Sequence, residues 1–394
     1  MRSFLTLLGI VIGITAIILV MSVCRGAQEL ILSQIRGMGS RTIIIEPGRE
    51  PTGPSDFAEI LTDSLKESDV DALLNPANVQ GLEEIAPTVM QVMPVSFENE
   101  TIRTSILGTS ELFAIILDLA PAEGSFFTDE DIKQRANVAV IGSEIKRKLF
   151  GQSDALGKRI RIKDRSFRVV SVLAPKGIVA LFDADNMIAV PYSTAQHYLL
   201  GISYFHAFMG QAVNEEIVPR VVNDIKLTLR EMHDINDPAK DDFHVTTQAD
   251  AVSRVSMVTG ILTALLVAVA AISLVVGGIG IMNIMLVSVS ERTREIGLRK
   301  ALGATNKNIL IQFMLEAVLL TAIGGIIGIL LGAFLSFLSS LILSKVVAEG
   351  WRFAFPLSAV ALGLGVSGFV GLVFGLYPAR KAARKSPIEA LRYE

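Results

Sequence analysis

The chain has 394 residues, of which 51% are hydrophobic, with a mean hydropathy of +0.52, a formal net charge of −3 and one cysteine. That is too apolar for an ordinary soluble chain of this length, and a lone Cys24 excludes any disulfide within the chain. Membrane spans are therefore sought first, each needing about 20 apolar residues.

The first candidate is residues 1–24, with no charge between Arg2 and Arg25. Its apolar run exceeds the usual signal-peptide core and no A-x-A site follows, so an uncleaved transmembrane helix is expected. Val23 stands before Cys24 where a lipoprotein site needs a small residue. Helical character continues over residues 24–36.

Residues 25–254 follow as a large domain with 23 Lys+Arg against 33 Asp+Glu, net −10, while the rest of the chain is +7. A mixed α/β domain is expected, in two subdomains with stalk helices at both ends. RTIIIEPG reads as a strand and turn. ESDVDALL reads as a helix capped by Ser68 with Asp71 three residues on. VMQVMPVSFENETIRTSILG reads as two strands turning near Glu98–Glu100, and NVAVIG then SEIKRKLFG as a buried strand and a helix. KRIRIKDRSFRVVSVL reads as a hairpin turning at Lys163–Arg165, 214–233 as a helix and FHVTT as a strand. GQSDALGKR has five residues between its glycines and Arg159 where Ser or Thr must bind magnesium, so it reads as a turn and not a phosphate loop. His197, His206, His233 and His244 show no metal-site spacing, and no metal is expected.

Three further spans are expected at 255–290, 309–343 and 357–378, joined by a charged loop at 291–308 and a short loop at 344–356, and followed by a tail at 379–394. The second is over-long: nothing stronger than glycine interrupts a helix from 249 to 295. Gly9, Gly13, Gly277, Gly324, Gly328, Gly332, Gly371 and Gly375 suit close helix packing and dimerisation. Glu316 is the one ionisable group in mid-span, expected to reach the interface or pair with a neighbouring helix. So sparse a polarity argues against a proton-coupled carrier or an ion channel. Arg292, Arg294, Arg299, Lys300 and Lys307 in one loop, and Arg380, Lys381, Arg384, Lys385 and Arg392 in the tail, place both termini in the cytoplasm and 25–254 outside.

The stretch SVSERTREIGLRKALGAT, residues 288–305, sets a dense knot of charge between two apolar runs. Glu295 and Arg299 are spaced one turn apart in the favourable order, and Gly297 is predicted to hinge two short helices, the second being LRKALGA. No clean apolar stripe emerges on a helical wheel. Paired charges, a glycine and interspersed apolar residues suit docking onto another protein better than a solvated loop.

SERTREIGLRKALGAT, followed by QFMLEAVLLTAIGGIIGILLG, resembles the MacB/FtsX-type permease family of ABC transporters. RSFLTLLGIVIGI, VAVIGSEIKRKLFG, ALGKRIRI and YPARKAARKSPIEALR are similar to it too. The resemblance implies a four-span α-helical membrane protein with a large mixed α/β extracytoplasmic domain between helices 1 and 2, in the cytoplasmic (inner) membrane. It implies no catalysis in this chain, with ATP and Mg bound by partner ABC ATPase subunits. The family's coupling helix would fall on Glu291, Arg292, Glu295, Gly297, Arg299 and Lys300. Ser386, Pro387 and Glu389 fit a capping box in the tail. Relatives usually carry an amphipathic segment before RSFLTLLG, and this sequence holds neither that segment nor an ATPase sequence. Without an ATPase sequence, the motor is expected on a separate polypeptide. The implied function is MacB-like efflux by mechanotransmission. The expected partners are a second permease copy, identical or paralogous, a periplasmic adaptor and an outer-membrane exit duct, with no nucleic acid. Lipoprotein extraction and FtsX-like activation of a cell-wall hydrolase are alternatives within the fold. A receptor for an external ligand is the alternative of another class.

Overall fold

The computed structural model describes residues 2–49, 63–179, 182–346, 351, 353–355 and 357–387. The chain divides into two compact units, Leu32–Arg254 on the one hand and Met1–Ile31 with Val255–Glu394 on the other. Helix α1 (Arg2–Arg36) is unbroken through Cys24 and contains the first boundary.

The α/β unit begins with β1 (Thr42–Pro47), α2 (Glu67–Leu74), β2 (Leu82–Phe97) and β3 (Glu100–Thr109). Then come α3 (Leu112–Ile116), β4 (Pro121–Gly124), α4 (Asp129–Lys133), β5 (Val138–Ile141) and α5 (Ser143–Phe150). The hairpin β6 (Arg159–Ile162) and β7 (Arg165–Leu173) precedes the short pair β8 (Ile178–Val179) and β9 (Phe182–Asp183). It closes with β10 (Met187–Pro191), α6 (Tyr192–Thr194), β11 (Ala207–Ala212), α7 (Val218–Met232) and β12 (Phe243–Thr247).

Among the described residues ten strands form one mixed sheet, ordered β12-β1-β11-β2-β3-β10-β5-β7-β4, with β6 bridging β2 and β7. The long strand β2 joins its halves, pairing with β11 over Leu82–Thr88 and with β3 over Val89–Phe97. Phe97 pairs with Glu100, so Glu98 and Asn99 make the turn, with Glu98 at φ +50°. Phe167, Phe205 and Phe208 fill the core, and α7 lays Val218, Val221, Ile225 and Leu229 onto it at helical spacing. That helix starts four residues later than its predicted first residue, 214. The Asn214 side chain accepts from the Ile217 N–H at 3.1 Å, and Pro219 then opens the first turn.

The predicted Ser68 cap is also corrected. The cap position is Lys66, two residues earlier, and the Asp69 carboxylate accepts from the Lys66 N–H at 2.7 Å. Asp69 is 2% exposed because it has a second task. His233, at the end of α7, lies 3.2 Å from Asp69 through Nε2 and 2.7 Å from Asp242 through Nδ1. The bond to Asp69 raises the His233 pKa to about 9; burial opposes it and Asp242 adds to it. His244 is held likewise by Glu46 (3.0 Å) and the Gly48 carbonyl (3.1 Å). Burial pulls its pKa down, but those bonds outweigh it and the net direction is upward.

The helical unit adds α8 (Gln248–Glu291), α9 (Thr293–Ala301), α10 (Asn306–Val346) and α11 (Leu357–Ala383). Helix α8 contains the second boundary and, at 44 residues, is about 66 Å long. Helices α1, α8, α10 and α11 are each long and apolar enough to cross a membrane.

The glycines account for how the four pack. A Cβ on Gly9 would lie 3.1 Å from the Gly277 Cα, and one on Gly13 would lie 2.9 Å from the Leu274 side chain, so α1 and α8 touch nearly backbone to backbone. Gly324, Gly328 and Gly332 of α10 receive Ile10, Ile14 and Ile18 of α1. Gly371 and Gly375 of α11 face Thr321 and Ala317 of α10. Thr15 donates to the Gly328 carbonyl at 3.1 Å across the α1–α10 seam. All eight predicted packing glycines thus meet neighbours in the same chain.

Candidate coupling site

The charged segment between α8 and α10 does not hinge at Gly297. Helix α8 ends at Glu291, Arg292 leaves helical geometry at ψ 15°, and α9 then runs without interruption over Thr293–Ala301. Gly297 is buried inside α9. The true terminator is Gly303 at φ +102°. Its N–H bonds to the Lys300 carbonyl and the Ala304 N–H to the Arg299 carbonyl, both at 3.0 Å, which is a Schellman ending that an L side chain resists. Thr305 then caps α10, accepting from the Asn308 N–H at 3.2 Å. Helix α10 therefore starts at Asn306, and Glu316 stands nearly three turns inside it.

With those boundaries α9 divides cleanly, which the wheel drawn across a hinge did not. Thr293, Ile296 and Gly297 are buried, with Ile296 packed into the same core cluster as Ile309, Phe313 and Ala382. Glu291, Arg294, Glu295, Leu298 and Leu302 are exposed, the two leucines at 54% and 81%. Arg294, Leu298 and Leu302 were absent from the predicted set. Their helical spacing after Glu291 was visible, but it becomes a face once the helix begins at Thr293.

The remaining charges are paired within the chain. Arg299 bonds Glu295 at 2.6 Å on the surface, a pair worth a few tenths of a kcal/mol. The Arg292 Nη1 reaches both Glu316 oxygens at 3.3 Å, so the mid-span carboxylate pairs with a neighbouring element as expected. The Lys300 ammonium donates to the Ala383 carbonyl at 2.6 Å and the Lys385 carbonyl at 2.8 Å. The predicted capping box of the tail reaches Glu389, which lies outside the described residues, as do 347–350, 352 and 356 of the short 344–356 loop, Arg352 included.

In the α/β unit Gly151 and Gly157 sit at positive φ in the turn between α5 and β6, in open space. Among the described residues no group of three His, Cys, Asp or Glu side chains is arranged to hold a metal ion.

Two family models cover most of the chain: the MacB-like periplasmic core domain matches residues 3–228 and the FtsX-like permease C-terminal region matches residues 255–387. The chain belongs to the MacB/FtsX-type permease family. It is 36% identical over 394 residues to the macrolide export ATP-binding/permease protein MacB of Bdellovibrio bacteriovorus, covering 100% of this chain and 59% of that one. It is 37% identical over 407 residues to the pyoverdine export ATP-binding/permease protein PvdT of Pseudomonas syringae pv. syringae, covering 100% and 57%. The chain thus spans less than two thirds of these relatives' length. The periplasmic region of MacB from Actinobacillus actinomycetemcomitans aligns with 57% of this chain and 97% of its own at 22% identity, with a TM-score of 0.48. The MacB-like permease described here is accordingly a four-span ABC-transporter membrane protein whose α/β unit is the extracytoplasmic domain.

Proposed function

We propose that this permease receives the motion of an ABC ATPase at α9 and passes it to its extracytoplasmic domain, driving export. The observation that carries the reading is the two-sided α9. One face is sunk in the bundle core, and the other, with Glu291 before the helix and Leu302 at its C-cap, offers Arg294, Glu295 and Leu298 to a partner. Exposed leucines flanked by both signs of charge are what an interface core with a polar rim requires. Relatives named ATP-binding/permease proteins support an ATPase as that partner. The unbroken courses of α1 and α8 support transmission, since a continuous helix carries displacement without loss at a joint. The basic loop and tail favour a cytoplasmic α9 and cytoplasmic termini. ATP and Mg would bind on the ATPase. A second permease copy, a periplasmic adaptor and an exit duct complete the assembly we envisage.

The test is co-purification of the full chain with candidate ABC ATPases in detergent. Burying the exposed parts of Leu298 and Leu302 is worth about 2–3 kcal/mol together, so Leu298→Asp with Leu302→Asp should weaken association by about 50-fold or more. Equal recovery of the ATPase by native and variant chains would remove α9 as the docking element.

A further inference from the structure

We infer that Arg292 and Lys300 are positioning residues: they clamp α9 at both ends to the third and fourth spanning helices and do not touch the ATPase. This deepens the coupling reading above and rests on it for its functional consequence, but the clamp itself is a property of the chain alone.

Helix α9 has nine residues and is preceded by a single non-helical residue, Arg292. So short a helix does not hold itself in water. Its buried face supplies Thr293, Ile296 and Gly297, and the Thr293 hydroxyl also donates to the Val289 and Ser290 carbonyls at the end of α8, at 3.0 and 2.8 Å. Arg292, Ile296 and Lys300 fall at four-residue intervals, so the two cations flank the one large buried side chain on the same stripe.

Each cation meets an acceptor that needs it. Ala383 is the last residue of α11, so its carbonyl has no partner from the helix ladder. The residue four positions on is Pro387, which has no N–H to offer. Lys300 supplies the missing donor, and its positive charge stands at the negative end of the helix dipole. At the other end Glu316 is a carboxylate nearly three turns inside a membrane-spanning helix, where an unpaired charge is costly. Arg292 answers it with contacts to both oxygens. The third and fourth spans therefore each present one unmet acceptor towards α9, and α9 carries one cation for each. The outward residues Arg294, Glu295, Leu298 and Leu302 take no part in this.

Cutting the clamp loosens α9 without altering the docking face. Hydrogen exchange on the full chain in detergent, with no ATPase present, reads the first half. Lys300→Met and Arg292→Met should each speed exchange of the amides of residues 293–301 by tenfold or more, whereas Arg294→Met should leave them unchanged. The swapped pair Arg292→Glu with Glu316→Arg should restore slow exchange, which a general loss of folding would not allow. Unchanged exchange in both Met variants would overturn the clamp whatever the ATPase does. Co-purification reads the second half. Lys300→Met and Arg292→Met should retain the ATPase within about threefold of the native chain. They should also lose the ATP-dependent change in protease sensitivity of the extracytoplasmic domain. Loss of the ATPase from these variants, to the degree seen with Leu298→Asp, would make them contact residues and overturn the assignment. A native chain that recruits no ATPase would instead refute the coupling reading and leave the exchange result to decide the clamp.

Discussion

Replacing His233 with glutamine removes the brace that ties the end of α7 to α2 and to the chain entering β12. His233 is 10% exposed and bonded at both ring nitrogens. Its pKa rises from 6.5 to about 9, and at roughly 1.4 kcal/mol per tenfold this corresponds to about 3 kcal/mol. Asp242 is 42% exposed, so solvent screening brings the expected contribution to about 2 kcal/mol. A histidine whose folded pKa is raised stabilises fully below its unfolded pKa and loses that contribution as pH climbs through the folded value. Native minus His233→Gln stability should therefore be about 2 kcal/mol at pH 6, begin to fall above pH 6.5 and approach zero by pH 10. Pulse proteolysis of the full chain in urea, in detergent, reads the extracytoplasmic domain at each pH. Arg230 provides the control. It holds Asp241 through two bonds of 2.8 and 2.7 Å and stays charged throughout, so Asp241→Asn should cost the same at pH 6 and pH 9. A native-to-Gln difference that does not change between pH 6 and pH 10 would refute the charged brace.

Two further outcomes test packing and chain reversal. Gly277→Ala sets a Cβ 3.1 Å from the Gly9 carbonyl carbon, which is backbone and cannot swing away, so the bundle should lose about 1–3 kcal/mol; Gly260→Ala in the same helix meets nothing within 4 Å and should be neutral or gain up to about 1 kcal/mol, both read by thermal unfolding in detergent. Gly303→Val must be held at φ +102° and should cost roughly 1 kcal/mol or more, seen as faster tryptic cleavage at Lys300 and Lys307.

Much of this architecture could be read from residue order, because the signals were local. Charge-free runs mark the four long helices, and the turns at Glu98–Asn99 and Lys163–Asp164 lie where polar residues interrupt β-branched runs. What escaped depends on partners distant in the chain. Asp69 and His233 are 164 residues apart, and the carbonyl that Lys300 caps is 83 away, so no spacing rule could pair them. Gly297 was misread because glycine weakens an isolated helix, yet burial against the bundle overrides a cost of about 1 kcal/mol. The break at Arg292 carries no breaker residue at all. The glycine stripes were legible as close-packing surfaces, but spacing does not say which helix fills them.

How those stripes are filled bears on what the spans can do. A bundle that opened a polar route would need side chains to line it, and a bundle held by lipid-facing surfaces alone could rearrange cheaply. Here Gly9, Gly13, Gly324, Gly328 and Gly332 fix α1 against α8 and α10, while Gly371 and Gly375 fix α11 against α10. Backbones in such contact are bistable at best and do not deform by degrees. Glu316, the lone mid-span carboxylate, is committed to Arg292 at the bundle's end and not to a path through it. The low-energy response of such a bundle to a push on α9 is displacement of whole helices. Two of those helices, α1 and α8, run on without a break to Arg36 and back to Gln248, at the margins of the extracytoplasmic domain. The mechanical transmission proposed above would use that combination.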